Sequence, residues 1–168
     1  SCDSVQRMYG IWTHYRPAAF THMVNVPHTV TPATERFFHR ELGFFKERVE
    51  EFAGAPIDDR ALEASIDLYN RTRELVWDLY QLRKSNPPLI SGAEMLEVLI
   101  AGGGLPAAEL EALLREVKAE VMSRRDGPGA GRARLLFYGC INDDVTLIRL
   151  VEECSAHVVM DDTCIGAR

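Results

Sequence analysis

The sequence predicts an α/β fold, and three observations carry that reading. The last third of the chain runs apolar segment, capped amphipathic stretch, apolar segment within about thirty residues, the pattern of a βαβ unit. Ahead of it lie long helices with recognisable caps, and a glycine-rich linker at 126–131 separates the two regions. A crossover of this length implies that the two strands pair in parallel.

The first helix starts at Asp3, a candidate N-cap with Gln6 at capping-box spacing, and repeats Val5, Met8, Tyr9 and Trp12 at helical intervals until Pro17 stops it. Residues 20–26 are apolar, aromatic and β-branched enough for a short strand closed by Pro27. Thr31 then caps a long helix with Pro32 at its first position. Phe37, Phe38, Leu42, Phe45, Val49 and Phe52 form its apolar stripe, expected to be core, and Gly54 ends it. A second long helix runs from about Asp59 to Lys84, capped by Asp58 or Asp59 and stopped by Asn86-Pro87-Pro88. Its apolar positions include Leu62, Ile66, Tyr69, Trp77 and Tyr80.

Ser91 with Glu94 makes another capping box, opening a short helix that Gly102–Gly104 terminates. Pro106 begins a helix of mixed charge reaching about Arg125. After the linker, Leu135 to Tyr138 reads as a buried strand and Gly139-Cys140 as a turn. Asp143 or Asp144 caps a helix from Val145 to Cys154, and Val158 to Met160 forms the second strand.

Composition narrows the function. The chain has 168 residues, a net charge of −6, 46% hydrophobic and 26% charged residues, ordinary values for a folded domain. Acidic and basic residues interleave along the helices, so the basic footprint of a nucleic-acid binder is missing. No apolar run reaches the roughly 20 residues a membrane span requires, and the N-terminus lacks signal-peptide character, which predicts a cytoplasmic location without membrane association. Nucleotide binding is disfavoured. The glycines at 127, 129 and 131 precede the strand instead of joining strand to helix, and Gly102–Gly104 leads into Leu105-Pro106 without a phosphate-loop lysine.

The chemistry resides in cysteine. Four cysteines in such a chain fit a reducing compartment, as buried thiols or metal ligands. None forms a Cys-x-x-Cys pair, so spacing alone signals zinc weakly. Position says more: Cys2 precedes a capped helix, where the dipole favours a thiolate, and Cys164 follows a strand in a turn of small residues. Three histidines, His14, His22 and His28, lie after Cys2; His22 and His28 flank the expected strand and are candidates for proton transfer. Asp161 and Asp162 read either as an acid-base pair or as acceptors that hold the turn around Cys164. Cys140 and Cys154 read as buried thiols. Trp12, Tyr9, Phe20 and Met23 are near Cys2 in sequence, as wall or as core.

Four stretches are recognisable: Ser1-Cys2-Asp3-Ser4-Val5-Gln6-Arg7; Tyr69-Asn70-Arg71 through Leu82-Arg83-Lys84; Pro88 with Ser91-Gly92; and Asp161-Asp162-Thr163-Cys164-Ile165-Gly166-Ala167-Arg168. Together they resemble the iron-sulfur subunits of the 2-hydroxyacyl-CoA dehydratase and benzoyl-CoA reductase family. The resemblance implies remnants of two Rossmann-like parallel-sheet domains joined by a long helical segment. Residues 1–88 would end the first domain, 89–131 would be helical connector and linker, and 132–168 would start the second. It implies a central segment of a larger subunit with a four-iron, four-sulfur cluster, Cys2 and Cys164 as cluster ligands, and a further ligand upstream. Cys140 stands where the family usually has serine.

The implied partners are an acyl-CoA substrate, a homologous subunit and an ATP-hydrolysing iron-sulfur activator that delivers low-potential electrons. In the reductase branch the electrons dearomatise the ring of benzoyl-CoA; in the dehydratase branch one electron makes a ketyl radical that releases the hydroxyl of a 2-hydroxyacyl-CoA. The runs from Gln6 to Trp12 and from His22 to His28 are most similar to the reductase branch. A different class, a helical docking subunit with inert cysteines, remains the contrasting reading.

Overall fold

The computed structural model describes residues 3–125 and 127–166, and its elements follow the capping signals closely. They are α1 (Asp3–Tyr15), α2 (Pro32–Ala53), α3 (Asp59–Leu82), α4 (Gly92–Gly103), α5 (Ala107–Ser123), β1 (Ala133–Tyr138), α6 (Val145–Glu153) and β2 (Ala156–Asp162). The chain divides into two compact units, Ser1–Leu62 and Glu63–Arg168, with α3 beginning in the first and continuing in the second. Among the described residues no helix is long and apolar enough to cross a membrane.

In the first unit, Thr31 caps α2 as a reciprocal capping box with Thr34, and Gly54 closes the helix at φ 68°. That left-handed conformation favours glycine because a Cβ would crowd the backbone. Two expectations fail here. Residues 20–26 have no regular structure, since a strand needs a neighbouring strand to take its backbone hydrogen bonds, and the two strands among the described residues pair with each other. The segment is held to α2 by side chains instead: the Asn25 side-chain amide donates to Glu41 at 2.7 Å, and the Phe20 and Phe52 rings lie 5.1 Å apart. The α2 stripe is also no core, because the helix has no buried residue and Phe52 is 59% exposed. Helical periodicity identifies an apolar face but not what covers it.

The second unit holds the buried core. Leu75, Leu79 and Tyr80 of α3 pack with Ile90, with Met95 of α4 and with Leu114 and Val121 of α5. A second cluster joins Ala93 and Leu96 of α4 to Ile148 of α6 and Val158 of β2. The strands form a two-stranded parallel sheet, as the βαβ pattern requires, in register from Ala133↔Ala156 to Tyr138↔Asp162 with one irregularity between Leu135 and Leu136. The expectation of a buried β1 is corrected: Leu136 is 62% and Tyr138 77% exposed, since β1 has β2 along one edge only and no layer over most of its side chains. Asp144 is the cap of α6, accepting from the Thr146 and Leu147 amides.

Tertiary contacts draw α4 against β2. A Cβ on Gly92 would stand 2.6 Å from the Cβ of Val158, so only glycine lets the helix start come this close. Glu152 of α6 accepts hydrogen bonds from the Gly92 amide at 2.8 Å, the Ala93 amide at 3.2 Å and the Val158 amide at 3.2 Å. A carboxylate therefore covers the orphan donors at the positive end of α4. At the negative end of α3, the Arg134 guanidinium donates to the carbonyls of Ser85, Arg83 and Lys84. The linker has no regular structure, as its composition predicts, yet buried His157 ties it down through Nε2 to the Gly129 carbonyl at 2.7 Å.

The capping box of α4 supplies a pH-dependent contribution. Burial would raise the Glu94 carboxyl, but the Ser91 backbone N–H and the Arg124 guanidinium, the latter at 2.5 Å, outweigh it and hold the group below its usual 4.5. A depressed carboxyl stabilises the fold above its unfolded value and ceases to do so as pH falls through its folded value. Wild type is therefore expected to melt above Glu94→Gln at neutral pH, with the gap closing below about pH 4.5. A gap in melting temperature that stays constant through the acid range would contradict this.

Candidate functional site

The βαβ unit ends in two loops at the same edge of the sheet, the carboxyl ends of parallel strands, where α/β proteins bind their ligands. β1 runs into Gly139-Cys140 and β2 into Thr163-Cys164. The Gly139 amide donates to the Asp162 carbonyl at 3.3 Å and the Cys164 amide to the Cys140 carbonyl at 3.2 Å, so the loops are stitched together beyond the strand ends. Both thiols are exposed, which corrects the expectation that Cys140 is buried. The turn that ends the β1 strand carries it out of the sheet rather than into the core. Cys154 is exposed too, because it follows the last turn of α6 instead of lying on its packed face. Cys2 and Arg168 lie outside the described residues.

Under the Cys164 loop sits a polar anchor that links β2 to α3. Asp161 accepts from the Tyr80 hydroxyl at 2.6 Å and from Arg83 Nη1 at 2.8 Å, while Arg83 Nη2 donates to the Val158 carbonyl. The Arg83 side chain is fully buried, its guanidinium lies 5.1 Å from the Tyr80 ring centroid, and its Nε has no partner among the described residues. Burial, then the hydrogen bond and negative charge of Asp161, push the Tyr80 phenol far above its usual value, so it stays protonated as a donor. Asp161 thereby has a structural duty. It anchors the strand that delivers Cys164. A Cβ on Gly166 would collide with Asp161 Oδ1, so glycine is what lets the loop fold back over the anchor.

Tyr80 and Arg83 went unmarked as site residues in the sequence, although a signal was present. Trp77, Tyr80 and Arg83 recur every third residue on one helix face, and an arginine continuing an apolar face needs a buried acceptor. The predicted histidines lie in the other unit. His22 is half-buried with its ring 5.2 Å from that of Phe45, and His28 is exposed; neither flanks a strand, because none forms there.

Exposed thiols at a strand end are suitable soft donors for an iron-sulfur cluster, which cysteine thiolates hold. Cys164 and Cys140 offer two. Among the described residues no group of three or more histidine, cysteine or acidic side chains converges to hold a metal, so a complete ligand set is not gathered there.

Comparison with known proteins identifies the lineage. The family model described as 2-hydroxyglutaryl-CoA dehydratase, D-component, matches residues 1–168. The chain belongs to this dehydratase D-component family. Among other members, it is 29% identical to one of the benzoyl-CoA reductase subunits of Thauera aromatica over 175 residues, covering 99% of this chain and 44% of that protein. To lactoyl-CoA dehydratase subunit beta of Anaerotignum propionicum it is 25% identical over 168 residues, covering 99% and 44%. To the (R)-phenyllactyl-CoA dehydratase beta subunit of Clostridium sporogenes it is 26% identical over 122 residues, covering 73% and 32%. The chain spans less than half the length of these D-component relatives.

Proposed function

We propose that this chain forms part of an enzyme subunit that holds a four-iron, four-sulfur cluster through Cys2 and Cys164 and acts on an acyl-CoA thioester, in the benzoyl-CoA reductase branch. The observation that carries the reading is Cys164: an exposed thiol at the carboxyl end of a parallel strand, on a loop secured by the Asp161 anchor. A cluster held there would supply single low-potential electrons to the thioester. This chain's part is to fix the ligand loop. The Tyr80 and Arg83 bonds to Asp161 immobilise the end of β2, and Gly166 permits the turn that presents Cys164.

Low-potential chemistry requires exclusion of water, and an exposed Cys164 loop needs cover. A homologous subunit is the proposed cover, with an ATP-hydrolysing iron-sulfur activator as the electron source. His22 and His28 are the proposed proton donors. The similarity to the Thauera benzoyl-CoA reductase protein across nearly all of this chain supports the reductase branch. The likeness to lactoyl-CoA dehydratase subunit beta supports 2-hydroxyacyl-CoA dehydration as the second reading.

Iron and acid-labile sulfide measured on anaerobically purified full-length protein test the ligand assignment. Wild type is expected to contain both, Cys164→Ser to lose most of its iron, and Cys154→Ser to match wild type. Equal iron in all three would refute Cys164 as a ligand, and a wild type without iron or sulfide would end the cluster reading. Turnover of benzoyl-CoA against 2-hydroxyacyl-CoA esters by the complex with its activator decides the branch.

A further inference from the structure

Cys140 is joined to Cys164 by more than proximity in a loop region. The Cys164 amide donates to the Cys140 carbonyl at 3.2 Å, and summing this with the standard backbone bonds places the two Cα atoms no more than about 7 Å apart. Each cysteine lies two residues past the end of its strand, and each thiol is exposed. The next hydrogen bond back toward the sheet, Gly139 to Asp162, holds the two loops at a fixed separation. The Asp161 anchor and the Asp144 cap secure the segments on either side. Two soft donors are therefore presented together at the ligand-binding edge of a parallel sheet.

We propose that Cys140 is a second thiolate ligand contributed by this βαβ unit, binding the same cluster as Cys164. The inference rests on the cluster reading of Cys164 and extends it to a residue outside the ligand set that the family resemblance implies. Binding converts the Cys140 thiol to an iron-bound thiolate and releases its proton to solvent; no electron is transferred in that step. Cys154 is a built-in control. It precedes β2, so the seven-residue strand separates it from Cys164 by roughly 20 Å at about 3.3 Å per residue, although its thiol is equally exposed.

The test uses full-length protein purified without oxygen, alkylated with iodoacetamide before and after iron is removed by a chelator, with each cysteine followed by peptide mass spectrometry. Cys140 and Cys164 are expected to be protected together while iron is bound and to react together once it is gone, whereas Cys154 reacts throughout. Cys140→Ser, with circular dichroism matching wild type, is expected to change the electron paramagnetic resonance spectrum and lower the ratio of iron to sulfide. Cys154→Ser should change neither. Because the alkylation arm uses the wild-type chain, a Cys140→Ser protein that fails to fold does not remove the test. Alkylation of Cys140 in iron-loaded protein with Cys164 protected, or an unchanged spectrum and iron ratio in Cys140→Ser, overturns the second ligand and leaves Cys164 standing. Wild type without iron overturns both.

Discussion

Asp161→Ala is expected to destabilise the folded second unit by about 3–5 kcal/mol, the loss that follows when one partner of a buried ion pair is removed. The deletion strands two groups at once. Arg83, whose side chain has no solvent exposure, keeps its charge and loses its carboxylate, and the buried Tyr80 hydroxyl loses its acceptor. Arg83 retains the Val158 carbonyl, which accepts a hydrogen bond without neutralising the cation. Asp161→Asn should fall between alanine and wild type, because an amide can still accept from Tyr80 but carries no charge. Replacing both partners with apolar residues, Arg83→Met with Asp161→Leu, should recover much of the loss, since the buried charge leaves with its partner. Urea unfolding of the full-length proteins followed by circular dichroism measures these differences. A loss below about 1 kcal/mol for Asp161→Ala would mean that water reaches Arg83 and that the anchor is weaker than a buried pair.

Leu79→Ala is expected to cost about 2–5 kcal/mol, toward the upper end of that range. Leu79 has no exposed surface and lies in the cluster where residues of α3, α4 and α5 meet. The loss combines the transfer free energy of the removed atoms with the cavity left among neighbours held by three helices. The contrasting substitution is Leu136→Ala. That leucine is 62% exposed on β1, and its removal should change stability by no more than about 0.5 kcal/mol. Comparable losses for the two leucines in the same unfolding assay would show that the helical cluster is not the stabilising core.

Local chemistry made much of this architecture legible. Thr31 with Pro32, Gly54, Ser91 with Glu94, and the aspartate before Val145 act through bonds to backbone a few residues away, so the sequence near each one is enough to locate a helix end. The βαβ unit was readable for the same reason: the alternation of strand and helix signals over thirty residues leaves parallel pairing as the way to close it. Burial was another matter. The phenylalanine stripe of α2 and the apolar run of β1 were both expected to be covered, and both are largely exposed. Residues 20–26 have the composition of a strand but no neighbour to pair with.

The candidate site divides along the same line. Cys164 could be selected from sequence because its motif and its place after a strand are local features. By itself the sequence determined where the helices start and stop, that the last two strands run parallel, and that Cys164 lies at their carboxyl edge. Only the tertiary structure decided that Cys140 is exposed and hydrogen-bonded through its backbone to Cys164. It also made Asp161 the partner of Tyr80 and Arg83, and set the Glu152 carboxylate over the start of α4. Caps and periodicities are interactions between residues a turn or a strand apart. The Asp161 anchor joins groups 78 and 81 residues apart, and nothing local to either end specifies which distant partner will meet it.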